Sequence, residues 1–335
     1  MQYPNVKNAH IVPRTYLANF AIDGKIGVRV EPEHRSLVLP IESVGTRRRF
    51  YRGTRPDGSV IDDMEWSLGE GEKAAAPLLR RFRDHWPLDL AKKGMLAELF
   101  AYQLLRGPRF KAEREELTRK ILADYRRTGK LDDAVGGGEI GDTELDEAER
   151  AFMTARHGHI RMLTLGPTLT SILGSMHWTL VEFASPVVAT SDHPVVIWPI
   201  GESSRSPQPT PLGVGALETL EVRLPLSPTA AVLMSWLDAP DDERASVRGA
   251  RHHAATLNAF TVASADRQWF HKPGTSPPVA TGKLLPLAPE LIGGYSYQAA
   301  VSSKRRARVS AEVQPKIGRN LADRDVTFVM MSRST

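Results

Sequence analysis

The chain has 335 residues, 41% hydrophobic and 25% charged, the balance of a globular protein with room for one large or two modest domains. It contains no cysteine, which excludes disulfides, thiolate zinc sites and cysteine nucleophiles, and no apolar run approaches the ~20 residues of a membrane span; a cytoplasmic protein with no membrane partner is expected. The net charge of +5 permits attraction to nucleic acid or other polyanions without requiring it.

The first element is "HIVPRTYLANF" at 10–20, where Pro13 predicts about two turns of helix and Gly24 ends the segment. "KIGVRVEP" and "RSLVLPIESV" read as strands, and "RPDGS" at 55–59 as a turn. From residue 62 the pattern becomes helical. "DDMEWSLGEGEKAAAPLLRRFRDHW" is acidic at its start and basic at its end, with Pro77 expected to kink it. "DLAKKGMLAELFAYQLLRG" predicts a buried helix stopped by Gly107 and Pro108. A charged helix follows, then a glycine-rich linker at 131–142 and a helical region at 143–174 that Gly166 and Pro167 should bend or split.

Beyond residue 177, "HWTLVEFAS", "VVATSD", "PVVIWPI", "TLEVRLPLSP" and "AAVLMSWL" predict short strands, and 241–263 a helix. The order of elements predicts an α+β fold, a central helical region flanked by short, mostly antiparallel strands. Residues 1–271 are expected to form a single domain and 272–335 a C-terminal extension. That extension carries a basic cluster, Lys304, Arg305, Arg306 and Arg308, expected to be exposed.

No nucleotide-binding glycine loop, serine-hydrolase elbow or zinc-protease motif is present. The pairs His157 and His159, and His252 and His253, read as surface histidines. Four polar stretches interrupt otherwise apolar segments. His10, Arg14, Tyr16 and Asn19 lie in the first. Glu65 and Glu72 lie seven residues apart on one helical face. Gln103 and Arg106 share a face of an apolar helix, where a buried arginine needs a carboxylate or a bound anion as partner. Ser191, Asp192 and His193 separate two hydrophobic runs, either as a site at a strand end or as a plain turn.

"HIVPRTYLANF", "FYR", "EWSLGEGEKAA", "YQLLRGPRF" and "TSDHPVV" occur in the order found in a bacterial family of unknown function, number 4238, which the chain resembles over residues 8 to 271. The family pattern runs H-x-V-P-R-x-Y-L-x-x-F, an acidic helix, Q-x-x-R-x-P, then S-D-x-P, and it ends in a helix like "TLNAFTVASADRQWF". The chain departs from it in carrying His193 where the pattern has Asn, and in its longer tail. The resemblance implies candidate residues and no reaction: His10, Arg14, Tyr16, Glu72, Gln103, Arg106, Ser191, Asp192 and, from the last helix, Asn258.

If these residues converge, their chemistry points to a hydrolase-type enzyme acting on an anionic, phosphate-bearing or nucleic-acid substrate. His10, Glu72 and Asp192 would be the catalytic acid, base or metal ligands. Arg14, Tyr16, Gln103, Arg106, Ser191 and Asn258 would bind substrate. A divalent metal is admitted but unassigned, since no stretch has metal-ligand spacing. Two alternatives use the same residues: a non-catalytic nucleic-acid-binding or defence-associated module held by a structural polar network, and a small-molecule tailoring enzyme.

Overall fold

The computed structural model describes residues 8–31, 33–48, 50–51, 53–54, 60–61, 63–128, 155–199, 219–235, 246–281, 287 and 291. Strand β1 (Asn8–His10) leads into helix α1 (Arg14–Leu17) and a 3-10 turn at Ala18–Phe20. Strands β2 (Lys25–Val30), β3 (Arg35–Pro40) and β4 (Thr46–Arg48) follow, then a small hairpin of β5 (Gly53–Thr54) and β6 (Val60–Ile61). The helical middle comprises α2 (Asp63–Arg80), α3 (Leu90–Leu105), α4 (Pro108–Thr128) and α5 (Ala155–Ser175). Strands β7 (His177–Glu182), β8 (Thr190–Ser191), β9 (Val196–Pro199), β10 (Thr219–Ser227), β11 (Ala230–Ser235) and β12 (Ser246–Arg248) come next. Helix α6 (Arg251–Ser264) and strand β13 (Gln268–His271) close the order. The fold is α+β, as the element order predicts. The linker at 131–142, residues 143–154, the loop at 202–214 and the basic cluster at 304–308 lie outside the described residues.

The strands form a five-stranded sheet, β12-β7-β11-β10-β9, and a four-stranded sheet, β3-β2-β13-β8. Every pairing in them is antiparallel except β12 with β7. The central strands of the five-stranded sheet, β10 from residue 221 on and β11, are buried on both faces, and β11 accordingly reads as a nearly unbroken apolar run. Val222, Leu224, Val232 and Met234 point into the main core with α3, while Val181, Ala231 and Leu233 point into a second core under α6. Strand β1 pairs with β4 and puts His10 opposite Thr46.

Helix α3 starts at Asp89, whose carboxylate accepts the Lys92 amide at 2.8 Å, and it packs along α5. Gly166 is required at that contact, because a Cβ there would lie 2.5 Å from the Tyr102 hydroxyl. Of the expected bend or split at Gly166 and Pro167, the split does not occur: helix α5 runs through both residues. Thr170 and Ser171 return hydrogen bonds to the carbonyls of Gly166 and Pro167 at 2.8 and 3.1 Å. Pro77 likewise sits inside α2.

The family-like ending "TLNAFTVASADRQWF" is not one helix. Helix α6 stops at Ser264, and Gln268–His271 is a strand paired on both sides, by β2 and β8. The amides of residues 266 to 268 turn instead to the carboxylate of Asp192, which takes the chain out of the helix. His253 is buried rather than a surface residue, because its Nδ1 accepts the Ala250 amide at 2.9 Å and caps α6, while His252 is exposed as expected.

Candidate functional site

Arg106 is 3% exposed and lies immediately after the last turn of α3. Its guanidinium donates from Nε and Nη2 to Gln103 Oε1, at 2.9 and 2.5 Å, and from Nη1 to the Glu72 carboxylate of α2. The Gln103 amide donates onward to the Ile11 carbonyl at 2.9 Å. The carboxylate partner expected for a buried arginine is therefore Glu72, and the chain of contacts ends at the residue after His10. Helix α2 places Glu72 with its side chain 17% exposed, at the edge of solvent. The side chain of Glu65 lies outside the described residues.

His10 is half-buried, and burial together with the Arg14 charge lowers its proton affinity below the ordinary histidine value. The Glu72 charge opposes this, as does a ring N–H that donates to the Glu42 carbonyl, and Arg106 adds a smaller lowering. With one ring nitrogen committed as a donor, the other carries the lone pair of the neutral ring. Arg14 is exposed at the start of α1. His10, Arg14, Glu72, Gln103 and Arg106 thus gather at one place, with Arg14 exposed, Glu72 at the edge of solvent and His10 half-buried, its Nε2 shielded from solvent.

The remaining candidates are taken up by the fold. Tyr16 is buried. Its hydroxyl donates to the Pro225 carbonyl at 2.6 Å and lies 2.7 Å from Thr190 Oγ1, joining the two large sheets. Burial pushes its phenol far above the ordinary tyrosine value. Asn19 donates to the carbonyls of Leu79 and Leu226, at 3.2 and 3.0 Å. Leu226 lies in β10 at the register shift between Pro225 and Ser227. Ser191 is fully buried, and its Oγ accepts the His193 amide at 3.1 Å. Asn258 is fully buried, accepts the Ala189 amide at 2.8 Å and donates to the carbonyls of Val187 and Pro278, each at 2.7 Å.

Asp192 is fully buried. Its Oδ1 accepts the Asp266 amide at 2.8 Å; its Oδ2 accepts the amides of Arg267 and Gln268 at 2.9 and 3.1 Å and an Arg47 N–H at 3.2 Å. Burial raises its proton affinity, against the pull of the Asp266 and Arg267 amides and of Arg47, yet every contact is one an ionised carboxylate accepts. That environment leaves no face toward a substrate. Asp192 clamps the β8 end to the start of β13 instead of standing with His10 and Glu72 as a base. Its partner Arg47 was not among the sequence candidates. The only signal for it is the arginine run at 47–49, which does not distinguish one arginine from the next.

His193 packs against the end of α3. Its ring lies over Gly107, the residue after Arg106, so that a Cβ at 107 would be 2.9 Å from His193 Cε1. The Q-x-x-R-G-P and S-D-H-P stretches are therefore in direct contact. Gly107→Ala should destabilise the protein by about 1–3 kcal/mol through overpacking, and His193→Ala should relieve most of that cost in the double variant. Thermal melts of the four proteins check this; additive losses would refute the contact.

Sequence reasoning also missed Glu221 and Arg223, an ion pair 0% and 1% exposed on β10 facing the second core. Their signal was present as two charges alternating with apolar residues in "LEVRLPL". Among the described residues, no three His, Asp or Glu side chains gather as a metal site, and no helix is long and apolar enough to cross a membrane.

Residues 8–275 match a family described as Protein of unknown function (DUF4238). The chain belongs to the DUF4238 family. No curated protein and no solved structure matches this DUF4238 protein. The match covers every candidate of the site, from His10 to Asn258.

Proposed function

We propose that this DUF4238 protein is a hydrolase-type enzyme acting on an anionic, phosphate-bearing substrate, nucleic acid included, at the surface formed by His10 and Arg14. A bacterial, cytoplasmic setting suits the cysteine-free chain. The observation that carries the reading is a half-buried imidazole of lowered proton affinity beside an exposed guanidinium. A neutral ring takes a proton from an attacking water at Nε2, an atom that is buried in the protein without substrate and that substrate binding must open to the site. The bond from phosphorus to the leaving oxygen breaks, and the imidazolium returns the proton to that oxygen. Arg14 holds the non-bridging oxygens and bears their charge. Glu72 sustains the basicity of His10, while Arg106 and Gln103 hold Glu72 and the Ile11 carbonyl in place.

The test is release of phosphate or cleavage by the purified protein on phosphomonoesters, phosphodiesters, nucleotides and single-stranded and duplex oligonucleotides. His10→Ala should lower the rate on the preferred substrate about 10²–10⁴-fold, and Arg14→Ala should raise KM. Because the base must be unprotonated, the rate should rise with pH through an apparent pKa below the ordinary histidine value of 6.5. No turnover of any substrate, or equal rates in wild type and His10→Ala, overturns the reading.

A second reading has its own support: Tyr16, Gln103, Asp192 and Asn258 are all engaged by protein partners. It makes the protein a non-catalytic nucleic-acid-binding or defence-associated module. Salt-sensitive binding of oligonucleotides without turnover, weakened by Arg14→Ala, would favour it.

The state of His10 also sets a stability expectation. Its folded pKa lies below its unfolded one, so between the two values the unfolded chain binds more protons. The contribution to stability is full above pH ~6.5 and is lost as pH falls through the folded pKa. Half-buried His271, lowered by burial, acts in the same direction. Melting temperature should fall on acidification from pH 7.5 to 5.5, and His10→Gln should shrink that fall. An unchanged fall in the variant would assign the effect to other groups.

A further inference from the structure

The family match ends at residue 275, yet the chain goes on making buried contacts. The side-chain amide of Asn258 holds the Pro278 carbonyl at 2.7 Å, and the Ala280 amide donates to the Ala255 carbonyl of α6 at 3.0 Å. Leu287 is 4% exposed within the second core, with Val181, Leu233, Leu257 and Phe260, and Ala280 and Leu291 pack against that core. The Leu287 amide donates to Glu221 Oε1 at 3.1 Å. The same oxygen receives Nε and Nη2 of Arg223, whose guanidinium lies 4.5 Å from the centroid of the Phe260 ring. A buried ion pair holds together only where water is kept out and its polar atoms are satisfied. Leu287 contributes to both, by its side chain and by its amide.

We propose that Pro278, Ala280, Leu287 and Leu291 tie the chain beyond the family match to α6 and the second core, and that Leu287 seals the Glu221–Arg223 pair. The folded unit then includes Leu287 and Leu291, past the boundary at 271 expected from the sequence and past the end of the family match.

The experiment compares the full chain with chains ending at residues 292 and 275, by thermal melting and by binding of an apolar fluorescent dye. The chain ending at 292 should melt with the full chain. The chain ending at 275 should melt lower by roughly 5 °C or more and bind the dye, because a buried leucine and the cover of an ion pair are lost. A synthetic peptide of residues 276–292 in excess should reverse both changes. Equal melting of all three chains, or an equal loss in the chains ending at 292 and 275, overturns the proposal. If the chain ending at 275 is insoluble, Leu287→Ala, Glu221→Gln and their double variant in the full chain decide. Sealing requires that the double variant lose less than the sum of the single losses, and strict additivity overturns it.

Discussion

Asp192→Ala should lower the stability of the protein by about 3–5 kcal/mol, the range for removing one partner from a buried, charge-assisted network. The carboxylate is fully buried and receives three backbone amides and one guanidinium N–H. Alanine leaves those donors without an acceptor and frees the turn that starts β13, the strand between β2 and β8. For a domain of this size the loss corresponds to a fall in melting temperature of roughly 10 °C. Asparagine should not restore the wild-type value. It lacks the charge that Arg47 meets, and its NH2 group would face a backbone amide on one side. Hydrogen exchange gives the sharper readout, with protection lost at the amides of 266, 267 and 268 before that of α3. If Asp192→Ala melts with wild type, the clamp has been misjudged, and a place for Asp192 in the chemistry becomes the better account.

Arg106→Ala comes next in size, at about 3 kcal/mol or more. The side chain is almost fully buried and fills the space between α2 and α3. Its loss leaves Gln103 Oε1 without either of its donors, so the grip of Gln103 on the Ile11 carbonyl loosens and His10 with it. Arg106→Lys should recover little, because an ammonium cannot present the fork that reaches Glu72 and Gln103 together. Glu72→Gln should cost clearly less, since that side chain reaches solvent and the Arg106 contacts to Gln103 persist. Denaturant melts of the three variants establish the order. Equal losses for Arg106→Ala and Glu72→Gln would mean that the pair, rather than the guanidinium and its packing, carries the energy.

The two variants separate structure from chemistry at the proposed surface. His10→Ala should change turnover with a far smaller fall in melting at neutral pH than Arg106→Ala, because its ring is only half-buried. Arg106→Ala should change both.

Local order was legible because it follows from local physics. The helical middle announces itself by composition and by its stops at Gly107 and Pro108, and strand β11 by a nearly uninterrupted apolar run. The polar residues inside apolar segments were also visible, since burying Arg106, Asp192 or Tyr16 demands partners wherever they fall. Which partners they take was a matter for the tertiary structure. Tyr16 meets Pro225, Gln103 meets Ile11, and Asp192 meets Arg47 and the amides after α6, across separations that no local pattern encodes. The "QWFH" segment shows the same limit. The family resemblance implied helix there, and the Asp192 carboxylate and two neighbouring strands satisfy its backbone as a strand instead. The sequence by itself therefore determined which residues needed partners. Packing decided whether each partner came from the fold, as for Asp192 and Asn258, or whether the side chain was left facing solvent, as for Arg14.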